Sequence, residues 1–278
     1  MQEAVAKPED IRALVENYLG VVKALRSHNT YKTYASVLFA YAKFVEDTGK
    51  PDPAAFISWL EKNGWEKRTS IRTAYVVLRG FHKFAGLPWT LPPVKKPESV
   101  PKALGTEDVR KLLSVASPAE REVIVFLLKT GLRVSEFVHS RCEDVLVVGD
   151  GRYMLRVRGK GDKVRLVPLT KDVVEIIKAR CTGRAGYIFP SPLDPDKPVS
   201  ARSIQHLVSR VARRAGLQRV TPHTLRHTYA TLLLNNGVDI RTIQTLLGHA
   251  QLTTTQVYTK VDVARMVDAI DSALTIKL

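Results

Sequence analysis

Apolar side chains recur at three- and four-residue intervals through residues 11–22, 31–45, 53–63 and 70–84. That is the period of amphipathic helices, so the first third of the chain reads as a small bundle of four short helices, with Ser70 the candidate cap of the fourth. The pattern breaks in TLPPVKKPESVPKAL, residues 90–104, where Pro92, Pro93, Pro97 and Pro101 surround Lys95 and Lys96. Such a stretch is an interdomain linker stiffened by proline. Beyond it, Thr106 with Glu107 and Asp108 opens a helix over 107–116, and residues 118–129 form a second, strongly apolar one. The period then changes to two. YMLRVR (153–158) and VRLVPL (164–169) flank GKGDK (159–163), a predicted β-hairpin whose tip holds two glycines and a lysine. Helical spacing returns over 171–180, 200–215, 222–235, 240–247 and a tail from about 261 to 274. The expected fold class is mainly α with a small β-hairpin or sheet in the C-terminal domain: a helical bundle (1–90), the linker (91–104) and a mixed α/β domain (105–278).

Composition narrows the class. The 278 residues are 45% hydrophobic and 25% charged, close to a soluble globular average, and the longest apolar run, Val123 to Leu128, ends at Lys129. A run of six cannot span a bilayer. The opening MQEAVAKPED carries acidic residues and a proline where a secretory signal needs a basic start and an apolar stretch, so the expectation is an intracellular, cytoplasmic protein. Cys142 and Cys181 show no metal-ligand or disulfide-framework spacing and are expected to be ordinary buried thiols. The 43 basic against 27 acidic residues give +16, and 28 of the basic residues follow residue 98. A polyanionic partner is implied, nucleic acid ahead of an anionic membrane.

Candidate chemistry lies in five local patterns, in order: TGLRVSE (130–136), RGKGDK (158–163), HTLRH (223–227), LLGH (246–249) and TTTQVYT (253–259). His223 and Arg226, three apart at a helix start, project from one face and can reach one phosphate. Gly131 permits a tight bend that aims Arg133 at the same point, and two arginines can hold the two non-bridging oxygens of a phosphodiester. Lys160 stands at the hairpin tip, and His249 follows the glycine that ends a helix. Lys163 and Arg165 read as phosphate contacts or surface charge. Taken singly, each residue has an ordinary structural reading: an ion pair, a cap, a turn lysine, a packing tyrosine.

Together and in this order the patterns resemble the tyrosine recombinases, the integrase-like enzymes that cut and rejoin DNA, most closely the Xer branch. The resemblance implies a recombinase catalytic domain in which Tyr258 attacks the scissile phosphate and leaves a 3′-phosphotyrosyl link. It implies that Arg133, Arg226 and His249 stabilise the charge, that His223 serves as base or orienting group, and that Lys160 protonates the leaving 5′-oxygen. Glu136 would orient active-site groups. No metal and no cofactor are called for. Ser140 and Leu232 stand where relatives often have Leu and His, a departure that touches packing.

Candidate DNA contacts are Lys67 and Arg68 just before the fourth helix of the bundle and Arg72 on it, Lys95 and Lys96 in the linker, Lys163 in the hairpin, and Arg202, Gln205 and Arg210 on the basic helix after Ser200. Solvated helix faces are the alternative for each. The implied partners are duplex DNA with paired half-sites and, on synapsed DNA, a homotetramer that is a monomer or weak dimer when free, with a translocase or accessory protein beside it. The apolar stripe Val263, Met266, Val267, Ile270, Leu274 needs a groove, on a neighbouring subunit by the resemblance or on its own domain otherwise. The expected role is chromosome or plasmid dimer resolution. Alternatives are a mobile-element integrase or resolvase, a type IB topoisomerase, and a DNA-binding regulator on an inactive scaffold. A phage-type integrase is disfavoured for want of an arm-binding domain before residue 11, and an integron integrase for want of an added segment before HTLRH.

Overall fold

A computed structural model describes residues 8–63, 65, 68–94, 103–148, 151–159, 164–183, 185–248, 267, 268, 270 and 272. The chain divides into two compact units, Met1–Glu98 and Ser99–Leu278.

The first unit is a bundle of α1 (Pro8–Leu25), α2 (His28–Thr48), α3 (Pro53–Lys62) and α4 (Arg68–Ala85). Ile11, Val15, Leu19 and Val22 of α1 are buried, the stripe that the sequence spacing marks. Ser27 caps α2 through the Thr30 N–H, and Asp52 caps α3 through the N–H groups of Ala54 and Ala55, with Pro53 in the first turn. The expected cap of α4 is corrected: the helix already runs at Arg68, so Ser70 lies in its first turn. Tyr41, Phe56, Leu78 and Phe81 fill the centre. There the buried His82 bonds the Pro88 carbonyl through Nδ1 (2.8 Å) and Tyr41 Oη through Nε2 (2.8 Å). A carbonyl can only accept, so Nδ1 donates and the tyrosine hydroxyl donates to Nε2.

The second unit begins with α5 (Thr106–Ser114) and α6 (Pro118–Thr130), followed by the short α7 (Val134–Val138) and a 3₁₀ turn, Cys142–Asp144. The strands β1 (Val145–Val147), β2 (Tyr153–Arg158) and β3 (Val164–Leu169) form an antiparallel sheet in the order β1-β2-β3, with Tyr153 opposite Leu169 and Arg158 opposite Val164. Then come α8 (Lys171–Cys181), α9 (Ala201–Arg214), α10 (Pro222–Asn235) and α11 (Ile240–Leu247). The apolar α6 is the hub, buried from Val123 to Thr130 among α8, α9, α10 and β3. Its start is a capping box: Ser117 accepts from the Glu120 N–H while Glu120 accepts from the Ser117 N–H. Glu120 also holds Arg210 and Arg214 of α9.

One expectation changes here. Cys142 and Cys181 are joined as a disulfide, not free thiols, because the sheet between them returns the end of α8 to the 3₁₀ turn, with the Cα atoms 5.7 Å apart. Of the tail stripe, Val267 and Ile270 are among the described residues, and both are buried on their own domain. Val267 packs with Met154 of β2, and Ile270 is buried with Tyr229, Leu233, Ile243 and Leu246. Among the described residues no helix is long and apolar enough to cross a membrane.

Candidate active site

α6 ends at Gly131, whose φ of 61° lies in the left-handed region. A Cβ at this position would meet Tyr229 Cδ1 at 2.4 Å, so the bare glycine serves both the turn and the approach of α10. Two residues later, Arg133 is the extended residue before α7. Its N–H donates to Glu136 Oε2 (2.8 Å) and its Nη1 to Glu136 Oε1 (2.9 Å). The Arg133 side chain keeps 43% exposure, with its Nη2 at 3.5 Å from the Gly248 carbonyl.

α10 starts at the Thr221 cap with Pro222 in its first turn, which places His223 on the exposed end and Arg226 inward, one turn along. Arg226 donates from Nη1 to the Gly131 carbonyl (2.6 Å) and from Nη2 to the Leu247 carbonyl (2.5 Å). Burial, then the neighbouring Arg133 charge, push its pKa down to about 10, which leaves it cationic at neutral pH. Each Nη retains a second hydrogen beyond the one given to its carbonyl. Arg133 approaches the same Leu247 carbonyl from Nη1 (3.4 Å), so both guanidinium groups converge on the end of α11. Last-turn carbonyls carry the negative end of a helix and attract cations.

Glu136 gathers the arginines. Its side chain is 4% exposed and faces Arg133, Arg165 and, at 3.8 Å, Arg226. Burial alone would raise its carboxyl, but the hydrogen bonds and charge of Arg165, followed by the bonds from Arg133, outweigh that and hold it at about 2. It is an ionised anchor, in keeping with an orienting role. Arg165 corrects an expectation. It is neither a phosphate contact nor surface charge: its side chain is 12% exposed and forks onto both Glu136 oxygens, Nη1 to Oε1 and Nη2 to Oε2, each at 2.8 Å. Its Nε donates to the Leu246 carbonyl (2.9 Å). A signal for this exists in the sequence, because Arg165 shares strand parity with Val167 and Leu169, both buried.

The structure thus brings Arg133 and Arg226 together at Glu136, with the exposed His223 three residues before Arg226 on α10. Lys160, His249 and Tyr258 lie outside the described residues, as do Lys67, Lys95, Lys96 and Lys163, and the Arg68 side chain. Gly248, with φ 65°, ends α11 immediately before His249 as the sequence predicts. Arg72 is half-buried, and the exposed Val76, Arg79 and Lys83 follow it at positions i+4, i+7 and i+11 of α4. On α9, Arg202 and Gln205 are exposed, while Arg210 gives Nη2 to Glu120 (3.1 Å). Ser140 is buried, its hydroxyl donating to the Glu136 carbonyl (3.0 Å), which explains how a small polar residue is tolerated there. Leu232 packs partly buried beside Tyr229.

The sequence pattern of the Phage integrase family matches residues 102–265. The tyrosine recombinase XerA of Thermococcus kodakarensis is 36% identical over 284 residues, covering 98% of both chains. XerD of Listeria innocua is 30% identical, covering 91% of this chain and 94% of its own. Among solved structures, the integrase of mycobacterium phage Brujita is 26% identical with a TM-score of 0.56, covering 96% of this chain and 93% of that one. XerH site-specific recombinase bound to its difH substrate matches in fold, with a TM-score of 0.64 at 22% identity over 92% of this chain and 82% of the other.

Proposed function

Since the chain belongs to the phage integrase family and is a site-specific tyrosine recombinase of Xer type, we propose that Arg133, Lys160, His223, Arg226, His249 and Tyr258 carry its reaction on duplex DNA. The observation that carries this reading is the convergence of Arg133 and Arg226 on Glu136 and the Leu247 carbonyl. Two fixed guanidinium groups match the two non-bridging oxygens of one phosphodiester. The Tyr258 oxygen attacks phosphorus, the P–O5′ bond breaks, and a 3′-phosphotyrosyl link and a free 5′-hydroxyl result. Lys160 gives the leaving oxygen its proton, and His223 takes or orients the tyrosine proton. The phosphoester is exchanged rather than hydrolysed, so another strand's 5′-hydroxyl reverses the step with no high-energy cofactor.

The bundle and the catalytic unit grip the duplex from Arg72 on α4 and from Arg202 and Gln205 on α9, with Lys67, Arg68, Lys95, Lys96, Lys163 and Arg210 adding charge. Synapsis of two sites uses a homotetramer, in which the tail stripe leaves its own domain for a neighbour's. The physiological event is chromosome or plasmid dimer resolution in the cytoplasm. The test is covalent trapping on random duplex DNA with sequencing of the trapped fragments. The native chain is expected to give a gel-stable adduct at a defined site, and Tyr258→Phe to bind the same duplex and give none. An adduct from the variant overturns the nucleophile assignment.

A further inference from the structure

Three arginines crowd one end of the second unit, with side-chain exposures of 43% for Arg133, 12% for Arg165 and 6% for Arg226, and of the three Arg165 alone gives both Nη groups to the Glu136 carboxylate. Arg165 uses its Nε, Nη1 and Nη2 inside the protein, on the Leu246 carbonyl and both Glu136 oxygens. It thereby joins three elements: β3, which begins four residues after Lys160; α7, which carries Glu136; and the last turn of α11, which leads to His249. Gly248 is fitted to this side chain. A Cβ there would lie 3.1 Å from Arg165 Cδ and Nη1, at a φ that already demands glycine.

We infer that Arg165 is a positioning residue for strand cleavage, which sets the phosphate-binding arginines by filling the bidentate face of Glu136. A carboxylate offers one face to a guanidinium fork. With that face taken by Arg165, Arg133 is left a single side-chain contact to Glu136, Nη1 to Oε1, while its Nη2 lies at 3.5 Å from the Gly248 carbonyl and the side chain keeps 43% exposure. Without Arg165, the fork site of Glu136 falls to Arg133 or Arg226, and either move draws a guanidinium inward from the phosphate. Arg165 also returns positive charge to a buried carboxylate that would otherwise cancel much of the clamp. Lysine cannot replace it, since a single ammonium reaches one oxygen and leaves the Leu246 carbonyl unbonded.

The inference rests on Arg133 and Arg226 being the phosphate clamp, and the experiment separates the two. Full-length Arg165→Gln and Arg165→Lys are compared with the native chain in single-turnover adduct formation on the duplex recovered by trapping. A second duplex carries a neutral methylphosphonate at the scissile position. On the natural duplex both variants are expected to react about a hundredfold more slowly at saturating DNA, the scale of a small misplacement of reacting groups, with half-saturation shifted less than about threefold. On the neutral duplex the deficit is expected to shrink to a few-fold, because the oxygen charge that the clamp serves is gone. Glu136→Gln combined with Arg165→Gln is expected to be no slower than the slower single variant, as for residues that act as a unit. A full rate in Arg165→Lys, the same deficit on both duplexes, or multiplying deficits in the double variant overturns the inference. If Arg165→Gln does not fold, Arg165→Lys decides alone. Arg133→Ala is the reference: if its deficit persists on the neutral duplex, the clamp reading fails; if that deficit shrinks and the Arg165 deficit does not, only the present inference fails.

Discussion

At Lys160 and Arg133 two kinds of assistance separate by the leaving group they serve. A general acid is dispensable when the leaving atom departs without a proton, whereas a phosphate clamp is not. Lys160→Ala is therefore expected to slow adduct formation by roughly 10² to 10⁴ on normal DNA and to recover most of that when sulfur replaces the 5′-oxygen. Arg133→Ala is expected to stay slow on both, and equal recovery would merge the two roles. Glu136 makes a prediction in stability instead. Its folded carboxyl, held at about 2, lies below the unfolded value, so its contribution is complete above about pH 5 and fades as pH falls towards 2. The linkage is on the order of 3 kcal/mol. Urea unfolding of the native chain should thus lose stability between pH 5 and pH 3. Glu136→Gln, weaker at pH 7, should close on the native chain across that window; a constant gap would deny the ionised anchor.

Element boundaries follow local chemistry where a cap and a period agree. Thr221–Pro222 starts α10, Ser117–Pro118 starts α6, and Gly248 ends α11, each by a side-chain or left-handed cap that needs no distant partner. Ser70 misled because capping competence does not say which of several residues the helix will use, and α4 begins two residues earlier. The strand β1 is three residues long, too short to show alternation, and exists because β2 offers it an edge. The Cys142–Cys181 bridge was equally hidden, since 39 positions of chain say nothing of distance until β1, β2, β3 and α8 are folded between them. It ties α8 to the turn that follows Glu136 and closes a long loop, for which about 2–4 kcal/mol is typical. Reduction, or Cys142→Ser with Cys181→Ser, is expected to lower the melting temperature by roughly 6–12 °C at about 3 °C per kcal/mol for a unit of this size. No change on reduction would mean the bridge is not formed in solution.

For the whole molecule, the tail gives the sharpest test. Val267 and Ile270 are buried on their own unit. Removing residues 262–278 is expected to lower the melting temperature of the free monomer by several degrees and to abolish cooperative pairing of half-sites while single half-site binding persists. Unchanged melting with full recombination would deny the tail both places. Legible from the chain alone were the helical elements, the β2–β3 hairpin, the basic charge and the family to which the ordered motifs point, because periodicity, caps and spacing are local properties. What only the tertiary structure decided was how the arginines divide Glu136 between them, with Arg133 left 43% exposed and Arg165 and Arg226 at 12% and 6%. Arg133, Arg165 and Arg226 are alike in composition and all basic on paper. Their difference arises where α7, β3 and the end of α11 meet, since one buried carboxylate can accept only one fork, and the sharing is settled by packing between segments up to 115 residues apart.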